Sequence, residues 1–212
     1  MATETSQPSI LRKSQYSREL MEYLKRDAEV KKFLPRRHLY MQVGEERLCY
    51  LLLKGRVTYY RRSDDLAVST ISAPGVVGIG NLQQMQQDGY IKTLVACEIA
   101  ILKMSTVYEV VSANQLWEHV AKHMMDIAGR LFVHSKHLSA PSAYDMIRLQ
   151  LIELFNEEPA IRNYITVEKY IRDKTHLSRS GVMRILASLK EGGYIEIHRG
   201  KLINLVKLPE KY

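Results

Sequence analysis

The sequence predicts an α+β protein: an N-terminal roll of short strands, a long dimerisation helix and a C-terminal winged helix-turn-helix. Three observations predict it. Residues 38–103 show short apolar runs broken by turn residues, such as Leu48–Leu53, Lys54-Gly55, Arg56–Arg62 and Asp64-Asp65. Residues 114–139 place Trp117, Val120, Met124, Ile127, Leu131, His134 and Leu138 on a 3–4 alternation, the spacing of a coiled-coil seam. Residues 166–205 read as a short helix, a tight turn, a second helix and a hairpin.

The elements follow in order. Leu20, Leu24 and Ala28 stand at i+4 steps and predict a helix over 17–34, ended by Pro35. Strands follow from His38, with a glycine-spaced loop Val76–Asn81 after Pro74-Gly75 and a final strand over Leu94–Leu102. Thr106-Val-Tyr-Glu109 has the form of a capping box and predicts a helix start. The long helix ends before Pro141, and Ser142-Ala-Tyr-Asp145 predicts the cap of the next helix. These readings divide the chain into a helical segment at 1–35, a roll at 36–113, the dimerisation helix at 114–140 and the winged unit at 141–212.

The C-terminal unit points to double-stranded DNA. Such a unit presents its second helix to the major groove. Thr166 and Ser178 are the expected N-caps of its two helices. Val182, Ile185, Leu186 and Leu189 form the inward face of the second helix, leaving Arg179, Ser180, Met183 and Arg184 outward. Ser178 lies where a helix N-terminus meets a phosphate. Arg199 and Lys201 in the hairpin are expected on backbone phosphates. Charge agrees: residues 161–212 hold 11 basic and 5 acidic side chains (+6), against 20 and 18 (+2) in residues 1–160. The competing reading is a ligand-binding signalling module whose winged helix docks a protein, for which binding would be insensitive to salt.

The order of roll, long helix and winged helix-turn-helix resembles the CRP/FNR family of transcription factors over about residues 36–208. The most specific likeness is Leu177-Ser-Arg-Ser-Gly-Val-Met-Arg-Ile-Leu186. Here Ser178, Arg179, Val182, Arg184, Ile185 and Leu186 match the family's recognition helix. Val43-Gly-Glu45, Tyr50, Leu53-Lys-Gly-Arg-Val57 and Ala96-Cys-Glu-Ile-Ala100 resemble turns and strands of its roll, a cyclic-nucleotide-binding-like domain. The resemblance implies a homodimeric transcription regulator with double-stranded DNA and RNA polymerase as partners. Within the family the chain looks most like a member concerned with hydrogen peroxide resistance, which implies control of oxidative-stress genes.

The effector pocket departs from that pattern. Cyclic-nucleotide-binding relatives need a Glu beside the loop glycine and an Arg-Ser pair for the phosphate. Here Gly78-Ile79-Gly80 carries Ile79 in place of the Glu, and Gln87-Asp88 stands in place of Arg-Ser. Asp88 would repel a phosphate that a guanidinium fork would bind. Cyclic AMP is therefore not the expected effector. Two cysteines cannot hold an iron–sulfur cluster, whereas haem, needing only one or two axial side chains, stays open; no cofactor is assigned.

Cys49 and Cys97 are the candidate redox thiols, against the blander reading of buried inert ones. His119 with His123, and His134 with His137, have helical spacings that suit a metal, but the simpler reading is partly exposed helix histidines, so no metal is assigned. No catalytic set is visible: Asp64-Asp65 and Glu157-Glu158 lack a partner nucleophile, and the chain is not expected to be an enzyme. The polar stretch Met1–Ser9 lacks a signal-peptide core and no apolar run is long enough to span a bilayer, so no membrane association and a cytoplasmic location are expected.

Overall fold

A computed structural model of the chain describes residues 15–26, 28–82, 89–138 and 142–209. In chain order the elements are α1 (Gln15–Leu24), β1 (Val30–Phe33), β2 (His38–Tyr40), β3 (Gln42–Val43), β4 (Glu46–Lys54), β5 (Arg56–Arg61), β6 (Leu66–Ser72), β7 (Gly75–Val77), a 3-10 turn (Ile79–Leu82), β8 (Gly89–Thr93) and β9 (Cys97–Lys103). After these come α2 (Met104–Ala113), α3 (Trp117–Leu138), α4 (Ala143–Phe155), α5 (Pro159–Arg162), α6 (Val167–Lys174), α7 (Arg179–Glu191), β10 (Ile195–His198) and β11 (Lys201–Leu205). They fall into two compact units that divide after Val133, with Asp64–Val68 belonging to the second.

The first unit is built on two antiparallel sheets. One runs β1-β9-β4-β3 with β7 also on β4; the other runs β2-β8-β5-β6. β4 explains the apolar run at 48–53. Both of its faces are buried, so alternation disappears. Cys49 and Leu51 join Leu20, Leu24, Val107 and Val111 in a core under the helices. Tyr50 and Leu52 join Val57, Ile91 and Ile99 in a second core. Fully burying one such Leu contributes about 1.5–3 kcal/mol.

Several boundaries differ from the sequence-based expectation. The helix expected over 17–34 covers only Gln15–Leu24, and Val30–Phe33 is instead a strand paired with β9 in the register Val30↔Ala100 to Phe33↔Cys97. An edge of β9 offers backbone partners that outweigh the weak helical spacing beyond Leu24. The segment expected to be helical therefore supplies a strand of the roll. The strand expected over Leu94–Leu102 starts at Cys97, because Leu94 turns to donate its N–H to the Arg56 carbonyl. α2 begins at Met104, ahead of the Thr106–Glu109 box, and its N-cap Lys103 makes no side-chain cap bond. α3 begins at Trp117 and not at Asn114: Asn114 closes α2, and Gln115 breaks the helix with φ of 56°.

His123 corrects another expectation. It is not a partly exposed surface histidine but buried, sharing a 3.1 Å hydrogen bond with the Ser17 hydroxyl of α1. Burial pushes its pKa below the usual value. Asp126 opposes that shift, Arg130 adds to it, and the Val76 backbone opposes it. The unfolded chain therefore binds the proton better, so this group's contribution to stability is present above about pH 6.5 and is lost as pH falls from there through the lower folded-state value. Urea midpoints measured from pH 7.5 to 5.5 should fall for the unaltered protein and fall less for His123→Leu.

The second unit folds on one apolar cluster. Tyr144, Ile147, Leu151 and Leu154 of α4 meet Val167, Ile171, Val182, Leu186, Leu189 and Leu202. Ser142 caps α4 as expected, accepting the Asp145 N–H at 3.1 Å. Lys174 is buried at the end of α6, its ammonium donating to Glu153 at 2.6 Å and to the Tyr170 hydroxyl at 2.8 Å. This ties α6 to α4.

Candidate nucleic-acid interface

α6 and α7 are positioned by side-chain caps. Thr166 Oγ1 accepts the Lys169 N–H at 3.3 Å, and Ser178 Oγ accepts the Gly181 N–H at 3.2 Å. Between the helices, Thr175 Oγ1 donates to the Ile171 carbonyl at 2.8 Å and accepts the Leu177 N–H at 3.4 Å, fixing the turn. Each cap of this type contributes about 0.5–2 kcal/mol.

α7 separates its residues by face. Val182, Leu186 and Leu189 are buried, while Arg179, Ser180, Met183 and Arg184 are exposed together. Ala187 is exposed one turn further and was not foreseen; its i+4 relation to Met183 was the signal. A small apolar side chain there suits a thymine methyl, as an arginine suits guanine. The exposed Arg179 lies 3.7 Å from the half-buried Glu168, which takes Arg172 more closely, at 2.8 Å.

The wing is a two-residue hairpin, His198 pairing with Lys201 across Arg199-Gly200. Both turn residues have positive φ, 47° and 78°, the signature of a type I′ turn. Its tip is joined to the helix-turn-helix, because the Gly200 carbonyl accepts the Val167 N–H at 2.9 Å. A Cβ at Gly200 would lie 3.0 Å from the Thr166 side chain in a left-handed conformation. Gly200→Ala should therefore cost about 1–2 kcal/mol, read as a lower thermal midpoint with weakened DNA binding.

The two basic wing residues are placed differently. Arg199 is exposed at the tip. Lys201 is half-buried and donates to the Tyr164 carbonyl at 2.8 Å, and burial lowers its pKa. One of its N–H groups is therefore engaged in the fold.

Three residues of the degenerate effector pocket, Gly78, Ile79 and Gly80, are among the described residues. Ile79 is buried in the core beneath the helices with Leu20, Leu24 and Val107, beside Gly78 and Gly80. Gln87 and Asp88 lie outside the described residues. Tyr59, which the sequence did not single out, packs its ring over Gly89: a Cβ there would sit 2.2 Å from the Tyr59 hydroxyl. Tyr59 belongs to the core between the sheets, and its ring covers Gly89.

The thiols are buried. Cys49 is fully enclosed and its pKa is pushed up to about 12; burial also raises that of Cys97, whose Sγ donates to the Val95 and Arg56 carbonyls. Neither has the exposed, thiolate-favouring setting that peroxide reactivity requires. Among the described residues no group of His, Cys, Asp or Glu could hold a metal ion, and no helix is long and apolar enough to cross a membrane.

The expected seam on α3 is divided. Val120 is buried and Met124 packs partly against the unit's own core. Ile127 is half-buried; Trp117 and Leu131 are exposed; the side chains of His134 and Leu138 lie outside the described residues. The outward apolar line runs one residue later along the helix, through Ala121, Met125, Ala128 and Phe132, with Met125 70% and Phe132 64% exposed. One residue is a rotation of about 100°. The cause is α1 and the roll, which claim the Val120 face. Trp117 sits beside this line, edge-on to Tyr108 at 5.4 Å.

A roll, a long helix and a winged helix-turn-helix make up the fold of solved CRP/FNR-type regulators, and the winged unit is of a DNA-binding kind. A family model of winged helix-turn-helix DNA binding matches residues 143–210. In fold the chain is similar to the c-di-GMP responsive global regulator CLP of Xanthomonas campestris, with TM-score 0.74 and 14% identity over 90% of this chain and 100% of that one. It is also similar to a CRP/FNR-family transcriptional regulator of Thermus thermophilus, with TM-score 0.65 and 16% identity over 84% and 94%. The protein called inhibitor of hydrogen peroxide resistance from Salmonella typhimurium strain LT2 is 30% identical over 166 residues, covering 77% of this chain and 79% of the relative. Its Escherichia coli K12 counterpart is 27% identical over 171 residues, with the same coverage. The chain belongs to the family of the proteins called inhibitor of hydrogen peroxide resistance, and its fold is the one that solved CRP/FNR-type regulators share.

Proposed function

We propose that this protein is a homodimeric, sequence-specific regulator of genes for hydrogen peroxide resistance, unresponsive to cyclic AMP. The observation that carries the DNA-reading role is α7, whose exposed face groups Arg179, Ser180, Met183, Arg184 and Ala187. Arg184 and Arg179 read base edges, Ser178 at the helix start and Arg199 at the wing tip meet phosphates, and the outward line of α3 joins two copies. Two copies place two α7 helices on half-sites of one operator. RNA polymerase is the partner downstream of that operator. The link to peroxide rests on the names of the relatives.

The buried thiols favour a peroxide signal that arrives from elsewhere and not through Cys49 or Cys97. Mapping bound genomic DNA with and without peroxide tests the reading. Occupancy near peroxide-defence genes, retained in a Cys49→Ser, Cys97→Ser double variant, is the expected result; occupancy unrelated to such genes would refute the peroxide assignment. Titration calorimetry with cyclic AMP should give no heat at micromolar ligand. Micromolar binding would show that the roll still accepts a nucleotide.

A further inference from the structure

The sheet β2-β8-β5-β6 carries a feature that the operator-reading role does not use. Cross-strand partners lie on the same side of a sheet. The register His38↔Lys92↔Thr58 and Tyr40↔Tyr90↔Tyr60 therefore lays two rows across β2, β8 and β5 on one side. The rings touch. Tyr60 and Tyr90 stack at 5.2 Å with planes 7° apart, Tyr40 leans on Tyr90 at 5.8 Å, and His38 meets Tyr90 edge-on at 5.0 Å. Arg62 places its guanidinium 5.7 Å from the Tyr40 ring centre. His38 and Tyr40 are exposed, and Tyr90 and Lys92 are half-buried.

This side combines planar rings with cations. The two rows contain no carboxylate; Asp64 and Asp65 belong to the turn beyond Arg62. Exposed rings accept bases and neighbouring cations accept phosphates, a combination that serves single strands because a duplex keeps its base faces stacked inside. An acidic peptide would satisfy the cations but leave the rings unused. We propose that this sheet side binds single-stranded nucleic acid, with bases stacking on Tyr40 and His38 and phosphates meeting Arg62 and Lys92.

The test uses the full chain and a fluorescent oligothymidylate of about twelve nucleotides, within the range such surfaces cover. Excess unlabelled duplex occupies the winged unit, and anisotropy reads the single strand. Binding is expected to persist under duplex. It should fall about tenfold for His38→Ala with Tyr40→Ala and for an abasic strand of equal length. Duplex affinity of that double variant should stay within about twofold, since its α7 and wing are unaltered. Complete displacement by duplex would show that the winged unit held the strand and overturn the proposal. Equal affinity for the abasic strand, or equal competition by polyglutamate, would show a site for charge alone and also overturn it. The abasic comparison needs no variant and decides the matter even if the double variant misfolds.

Discussion

Met125→Asp combined with Phe132→Asp is expected to convert the protein to monomers and to lower operator affinity by about two orders of magnitude, the loss that follows when two linked contacts become independent ones. The physical cause is specific. Both side chains are largely exposed in the single chain. Across a two-fold seam each Asp would face like charge and apolar surface, and an unpaired buried carboxylate costs several kcal/mol. Light scattering reads the assembly and a thermal melt reads the fold. A dimer that survives with an unchanged melt would place the interface elsewhere. Val120→Asp supplies the contrast: it should unfold the first unit, because Val120 lies in that unit's own core.

Arg184→Ala should remove about 1–3 kcal/mol of discrimination between operator and random duplex, while the melt stays within about 0.5 kcal/mol because the residue is exposed. Arg199→Ala should act differently, weakening both duplexes alike and reducing the slope of log affinity against log salt by about one. Lys201→Ala gives a third pattern. Its ammonium is bonded to Tyr164, so its loss should loosen the wing and lower the melting midpoint. Equal and small losses on both duplexes for Arg184→Ala would show that α7 does not read bases.

The helix-turn-helix was legible in the sequence because its signals are local. Caps at Thr166 and Ser178, the apolar set Val182–Leu189 and the two-residue turn all lie within a few residues of what they control. The three-part fold was legible for the same reason. What was not legible depends on contacts distant in sequence. Val30–Phe33 becomes a strand only because β9, about seventy residues later, offers an edge. Val120 turns inward only because α1 and the roll provide a core. A heptad pattern states which residues are apolar, not which neighbour they meet. Lys201 reads as a free cation until Tyr164 is placed beside it. Tyr59 gives no periodic signal at all, and its role appears only with Gly89 beneath its ring.

The enclosed Lys174 has a consequence for how the protein should be measured. Added salt screens charges in water within about 10 Å at 0.1 M, and shields buried pairs far less. The cation that ties α6 to α4 is removed from solvent, while Arg179, Arg184 and Arg199 are immersed in it. Raising ionic strength should thus release nucleic acid long before it loosens the scaffold that aims α7. A salt titration then reports counterion exchange at the interface and little else, and the bound and released protein are the same folded object.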